Sequence, residues 1–173
     1  GKLYKKILFS NKIRKSDCFI ICVPTPVKKN KSANLSFVYS AADEISKVIK
    51  KGDTIILEST VPVGTTEKLI KYLAKKNKKI NFNINESDIN VIFSPERVLP
   101  GNTLYELLNN KRIIGVRDSK SQSIAKKIFG KIVNSKISFT NLKMAEMIKL
   151  SENTYRDINI AYANLLSLIC NKF

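Results

Sequence analysis

The chain has 173 residues, 43% of them hydrophobic, which suffices for one domain with a real core and argues against wholesale disorder. Lys and Arg outnumber Asp and Glu by 31 to 14, but the excess is nearly all Lys and runs from Lys2 to Lys172 among many Asn and Ile residues. That pattern reads as a solvated lysine surface rather than a nucleic-acid reader, which concentrates Arg and interleaves aromatics, although a positive field still attracts a phosphorylated substrate.

In chain order, the first apolar run predicts a strand over 18–23, with Cys18 and Cys22 two alternations apart and both expected as core filler. A helix is predicted over 36–50 from the spacing of Val38, Ala41, Ala42, Ile45, Val48 and Ile49, with Gly52 as its stop. Strands follow at 54–57, 90–93, 112–116 and 136–139, with helices at 65–76 and 121–133, Ser119 being a candidate cap for the second. The Lys/Asn-rich stretch 75–85 reads as a loop. Residues 142–170 form one helical pattern without Pro or Gly, longer than a crossover helix and closer to an interdomain strut. Strands alternating with amphipathic helices specify a doubly wound α/β fold with a parallel sheet.

Cys18, Cys22 and Cys170 make no even-numbered disulfide framework, and the absence of His removes a Cys/His zinc site. A reducing, cytoplasmic compartment fits. The apolar stretches are too short and too often charged to cross a bilayer, and the N-terminal residues lack the apolar core of a signal peptide.

Four segments can carry chemistry. Val23-Pro24-Thr25-Pro26 stops a buried strand at its carboxyl end, where open α/β sheets bind ligands; Thr25 is placed to bond a cofactor, although a plain strand-ending turn fits equally. Glu58-Ser59-Thr60-Val61-Pro62-Val63-Gly64-Thr65-Thr66 joins a strand to a helix N-terminus, suiting an anion or a ribose, or simply a helix cap. Ser94-Pro95-Glu96-Arg97-Val98-Leu99-Pro100-Gly101 is a rigid turn in which Arg97 either clamps a phosphate or pairs at the surface with a carboxylate. On the last helix, Lys149, Asn153 and Arg156 share one face, either as a solvated stripe or as a proton-transfer Lys beside two groups that orient an oxygen-rich ligand. Three polar, Pro-bearing turns at three consecutive strand ends are expected to line one crevice.

Taken in this order, and with Ala145-Glu146-Met147-Ile148-Lys149-Leu150-Ser151-Glu152-Asn153-Thr154-Tyr155-Arg156 on the long helix, these motifs resemble the UDP-glucose/UDP-N-acetylmannosamine dehydrogenase family over nearly the whole chain. The Arg97-Val98-Leu99-Pro100-Gly101 continuation resembles the UDP-N-acetyl-D-mannosamine branch, with UDP-N-acetylglucosamine or UDP-glucose 6-dehydrogenases as alternatives. A catalytically dead basic binding module is the alternative from another class.

The resemblance implies a cytoplasmic NAD-dependent oxidoreductase that converts a UDP-sugar C6 hydroxyl to a carboxylate by two hydride transfers, with cysteine-linked intermediates, for surface polysaccharide precursors. It implies that Lys149 donates and accepts protons, that Asn153, Arg156, Arg97 and Val98 bind substrate, and that Thr25 and Thr66 contact NAD. It also implies that Thr60 positions a catalytic water and that Glu96 lies near the reacting centre. It further implies a partial Rossmann-like sheet over 1–141 and the start of a central helical domain over 142–173, with a homodimer when full length, and with no nucleic-acid, membrane or metal partner. The glycines lack the Gly-x-Gly-x-x-Gly spacing, so the first βαβ unit is expected to be missing, and the nucleophilic cysteine to lie beyond Phe173. The chain by itself is expected to be inactive.

Overall fold

The short apolar runs send alternate residues to opposite faces. In the computed structural model, which describes residues 7–83, 86–98 and 101–173, they become one five-stranded sheet in the order β1-β2-β3-β4-β5. The strands are β1 Cys18–Ile21, β2 Thr54–Leu57, β3 Asn90–Phe93, β4 Arg112–Val116 and β5 Ile137–Asn141. The helices are α1 Ser36–Val48, α2 Thr65–Lys76, α3 Thr103–Asn109, α4 Ser119–Phe129 and α5 Leu142–Cys170.

Side-chain alternation divides the core into two layers. Ile55, Leu57, Val91 and Phe93 pack on one face with α1, α2 and the first turns of α5, whereas Ile56, Ile92 and Ile114 pack on the other against Ala125 and Phe129 of α4. Apolar residues on both faces of β2 and β3 are what a sheet covered on both sides requires. The doubly wound α/β expectation is met.

One junction departs from a wholly parallel sheet. β1, β2 and β3 are mutually parallel, as are β4 and β5, but β4 runs antiparallel to β3. The connection between them holds only the seven-residue α3, which buries no residue of its own and does not return the chain across the sheet. Only Ile92 with Val116 and Phe93 with Gly115 are in register, so the start of β4 overhangs the carboxyl end of β3. Arg112 therefore stands behind the third polar turn.

Several local expectations are corrected. α4 starts at Ser119 and its cap is Asp118, whose extended backbone lets its carboxylate accept from the Ser121 N–H at 2.7 Å. β1 ends at Ile21, and Cys22 is exposed rather than core, because the face of β1 that carries Ile20 and Cys22 has no covering helix among the described residues. Leu99 and Pro100 of the third turn, and the end of the Lys/Asn-rich stretch, lie outside the described residues.

The first turn of α5 crosses β4 closely. A Cβ on Gly115 would lie 2.9 Å from the Cβ of Ala145 and 3.0 Å from the Cα of Leu142, so glycine sets how near this helix comes to the sheet. Beyond Asn153 every residue of α5 is exposed, and no helix among the described residues is long and apolar enough to cross a membrane.

Candidate functional site

The carboxyl ends of β1 and β2 are tied into one rim. Ser59 accepts from the Val23 N–H at 2.8 Å and donates to the Val23 carbonyl at 2.7 Å, and Thr25 donates its hydroxyl to the Thr60 carbonyl at 2.7 Å. The prolines at 24 and 26 free this loop from the ladder, so its polar groups bond sideways to the next loop. The first two polar turns thus meet, with Thr25 and Thr60 in direct contact.

The loop after β2 enters α2 through Gly64, whose φ of 85° is the left-handed conformation that glycine adopts without steric cost. The sequence suggested an anion or ribose at this helix N-terminus. A carboxylate of the chain itself fills the position: Glu146 of α5 accepts from the Gly64 N–H, and from the Thr66 N–H and hydroxyl at 2.7 and 2.6 Å. Thr66 is completely buried, with its hydroxyl engaged by Glu146.

The third turn is anchored from below. Buried Arg112 donates to the Ser94 hydroxyl oxygen at 3.3 Å and lies over the Phe129 ring, 5.0 Å from its centroid. Arg97 donates to the Lys111 carbonyl at 3.1 Å, its own carbonyl accepts from Asn110 at 3.0 Å, and its guanidinium also pairs with Glu152 of α5. Glu96 is exposed at the same turn.

Between this turn and α5 lies a cleft of about 460 Å³. Arg97, Val98, Lys149, Asn153 and Arg156, all singled out from the sequence, line it together with Glu106, Asn110, Lys111 and Glu152. Arg156 donates to the Asn153 side-chain oxygen at 2.9 Å, which leaves the Asn153 amide as the donor directed elsewhere. Thr25, Thr60 and Thr66 are not among the lining residues; they belong to the neighbouring rim and its support. Glu152 was legible in principle, three residues from Lys149 on the same helical face. Asn110 and Lys111 were not, because their placement depends on α3 and on the reversal into β4.

Four cationic side chains against two carboxylates make the cleft positive, which suits a diphosphate. Burial is the main influence holding the Lys149 ammonium below its ordinary value, reinforced by Arg156 and Arg97 and opposed by Glu96. Cys22 is the opposite case. Partial burial, a 2.8 Å bond to Glu58 and the Glu58 and Glu96 charges push its thiol up to about 12, so it is not a thiolate at neutral pH. Among the described residues no group of His, Cys, Asp and Glu is arranged to hold a metal.

A sheet whose central strands are covered on both faces, polar turns at three consecutive strand ends and a positive cleft against a long helix define a Rossmann-type α/β protein with a site for an anionic ligand. Residues 1–133 match the NAD binding domain of the UDP-glucose/GDP-mannose dehydrogenase family and residues 143–173 match its central domain, and the chain belongs to this family. It is 47% identical over 161 residues to a UDP-N-acetyl-D-mannosamine dehydrogenase of Campylobacter jejuni, covering 91% of this chain and 40% of that protein. It is 45% identical over 160 residues to an NDP-N-acetyl-D-galactosaminuronic acid dehydrogenase of Ralstonia nicotianae, covering 91% of this chain and 38% of that protein. Among solved structures, a UDP-D-ManNAc dehydrogenase from Pyrococcus horikoshii aligns with a TM-score of 0.82 at 40% identity, over 89% of this chain and 36% of that one. The chain therefore spans about two-fifths of the length of these relatives.

Proposed function

We propose that this chain supplies the substrate cleft and part of the cofactor site of a cytoplasmic NAD-dependent oxidoreductase that converts UDP-N-acetyl-D-mannosamine to its uronate. One alcohol, two NAD and one water give one carboxylate, two NADH and three protons. The observation that carries this reading is the cleft itself, where Arg97, Lys149, Asn153 and Arg156 converge from a strand-end turn and the long helix.

In this reading Arg97 and Arg156 pair with the diphosphate, Val98 packs against the nucleotide, and Asn153 donates its amide to a sugar oxygen. Lys149 takes the C6 hydroxyl proton, which its depressed pKa favours by enlarging the neutral fraction. Glu96 works near the reacting carbon and Thr60 orients the water consumed in the second half-reaction. Thr25 and Thr60 on the rim fit one edge of the dinucleotide, and Thr66 serves it through the backbone it holds against Glu146. NAD, when bound, supplies the hydride acceptor. The boundary between the cofactor-binding part and the central helical part falls at residues 141 and 142, and the exposed apolar face of α5 pairs two protomers in a homodimer.

The relative named for N-acetyl-D-galactosaminuronic acid favours a second reading, in which the sugar is an N-acetylgalactosamine. The test gives the complete gene product NAD with UDP-N-acetyl-D-mannosamine, UDP-N-acetylglucosamine, UDP-N-acetylgalactosamine or UDP-glucose, and follows NADH. UDP-N-acetyl-D-mannosamine should be oxidised fastest, with two NADH formed per sugar. Preference for UDP-N-acetylgalactosamine would install the second reading, and no turnover of any of the four would remove both. The 173-residue chain alone is expected to reduce no NAD in the same assay.

A further inference from the structure

Glu146 is a carboxylate with 0% exposure, set among core residues one turn before Lys149, yet its hydrogen bonds go to Gly64 and Thr66 and to none of the residues lining the cleft. Burying a carboxylate among Leu142, Ala145 and the sheet is costly unless donors surround it. Here three donors do so, all from residues 64 and 66: two N–H groups left open by the start of α2, and the Thr66 hydroxyl. α2 has no side-chain cap from its own N-cap residue, so a residue 80 positions further along the chain does that work. The positive end of the α2 dipole adds to the pairing.

This pairing joins the two parts of the site. The loop held by Glu146 carries Thr60, whose carbonyl holds Thr25 on the cofactor rim, whereas Glu146 shares a helical face with Lys149, three residues on, and Asn153, seven residues on. A second link, Lys143 with Glu67 at 3.0 Å, is exposed and contributes little directional control. We propose that Glu146 is a positioning residue: by gripping the start of α2 it fixes where the reactive face of α5 stands relative to the cofactor rim, and so sets the geometry of hydride transfer. Hydride transfer requires the reacting atoms in near-contact, and a displacement of about 1 Å costs on the order of 100-fold in rate. The proposal rests on the oxidoreductase reading above.

The test uses the complete gene product with Glu146→Gln, whose amide turns a donor toward one of the three donors, and with Glu146→Asp, which keeps the charge but shortens the reach by one methylene. Both variants are compared with the wild-type protein in steady-state kinetics and with a UDP-sugar dideuterated at C6. For Glu146→Gln we expect kcat to fall by about 10- to 100-fold while KM for NAD and for the UDP-sugar each move less than about threefold. The deuterium isotope effect on kcat should rise, because hydride transfer becomes slower than product release. Glu146→Asp should show the same signs with smaller size, and it decides the matter if Glu146→Gln does not fold. Wild-type kcat and isotope effect in folded variant, with only a lower melting temperature, would reduce Glu146 to a helix cap and overturn the proposal. A wild-type protein inactive on every UDP-sugar would instead overturn the oxidoreductase reading on which it rests.

Discussion

At the scale of single residues, the proposed chemistry concentrates at Lys149. Its ammonium is held below the ordinary lysine value of 10.5, first by burial and then by Arg156 and Arg97. As a proton acceptor it must be neutral, so kcat/KM should rise with pH and level off at a pH below 10.5. Lys149→Met should abolish that limb and lower kcat by about 100- to 10,000-fold; a pH-rate profile unchanged by the substitution would exclude Lys149 from proton transfer. The stability consequence has a definite sign as well. With its folded pKa below the unfolded one, the ammonium penalises the folded state at neutral pH, and the penalty fades as pH rises between the two values. Which residues share the cleft was largely legible, because i, i+4 and i+7 spacing fixes a common face on any helix. The partners of those residues were not. That Arg97 pairs with Glu152, and that Glu146 fills the anion position at α2, depends on long-range packing that local spacing does not encode.

At the scale of elements, strand positions were legible because β-branched apolar runs bounded by Pro and Gly leave few choices. The direction of β4 was not, since its composition suits either orientation and the deciding feature is the short connection through α3. α3 itself was missed because, although Leu104, Leu107 and Leu108 fall at i, i+3 and i+4, seven residues give that spacing too little length to stand out, and none of them is buried. Cys22 was misplaced for a related reason: alternation predicts which face a side chain takes, not whether another element covers that face. The approach of α5 to β4 yields a prediction at this scale. Gly115→Ala puts a methyl group 2.9 Å from the Ala145 Cβ and 3.0 Å from the Leu142 backbone. It should cost about 1–3 kcal/mol of stability, seen as a lower melting temperature of the complete gene product. An unchanged melting temperature would mean that α5 is free to move away from the sheet.

At the scale of the whole molecule, the layers place every candidate group at one edge of the sheet. The loops after β1 and β2 form the rim proposed for the cofactor, and the antiparallel return through β4 puts Arg112 behind the Pro-Glu-Arg turn, whose Arg97 pairs with Glu152 of α5. The apolar surfaces left open among the described residues include the outer face of β1 around Ile20, and the second half of α5 with Ile158, Leu165 and Leu168. The second is the surface proposed for the homodimer. The central claim is that the cleft between the third turn and α5 receives the UDP-sugar through its arginines. It is tested most directly by calorimetric titration of UDP-N-acetyl-D-mannosamine into the complete gene product and its Arg97→Ala and Arg156→Ala variants. Each substitution removes charge-assisted hydrogen bonds and should weaken Kd by about 10- to 100-fold without loss of fold. Wild-type affinity in both variants would contradict the account, because the ligand would then be held somewhere other than this cleft.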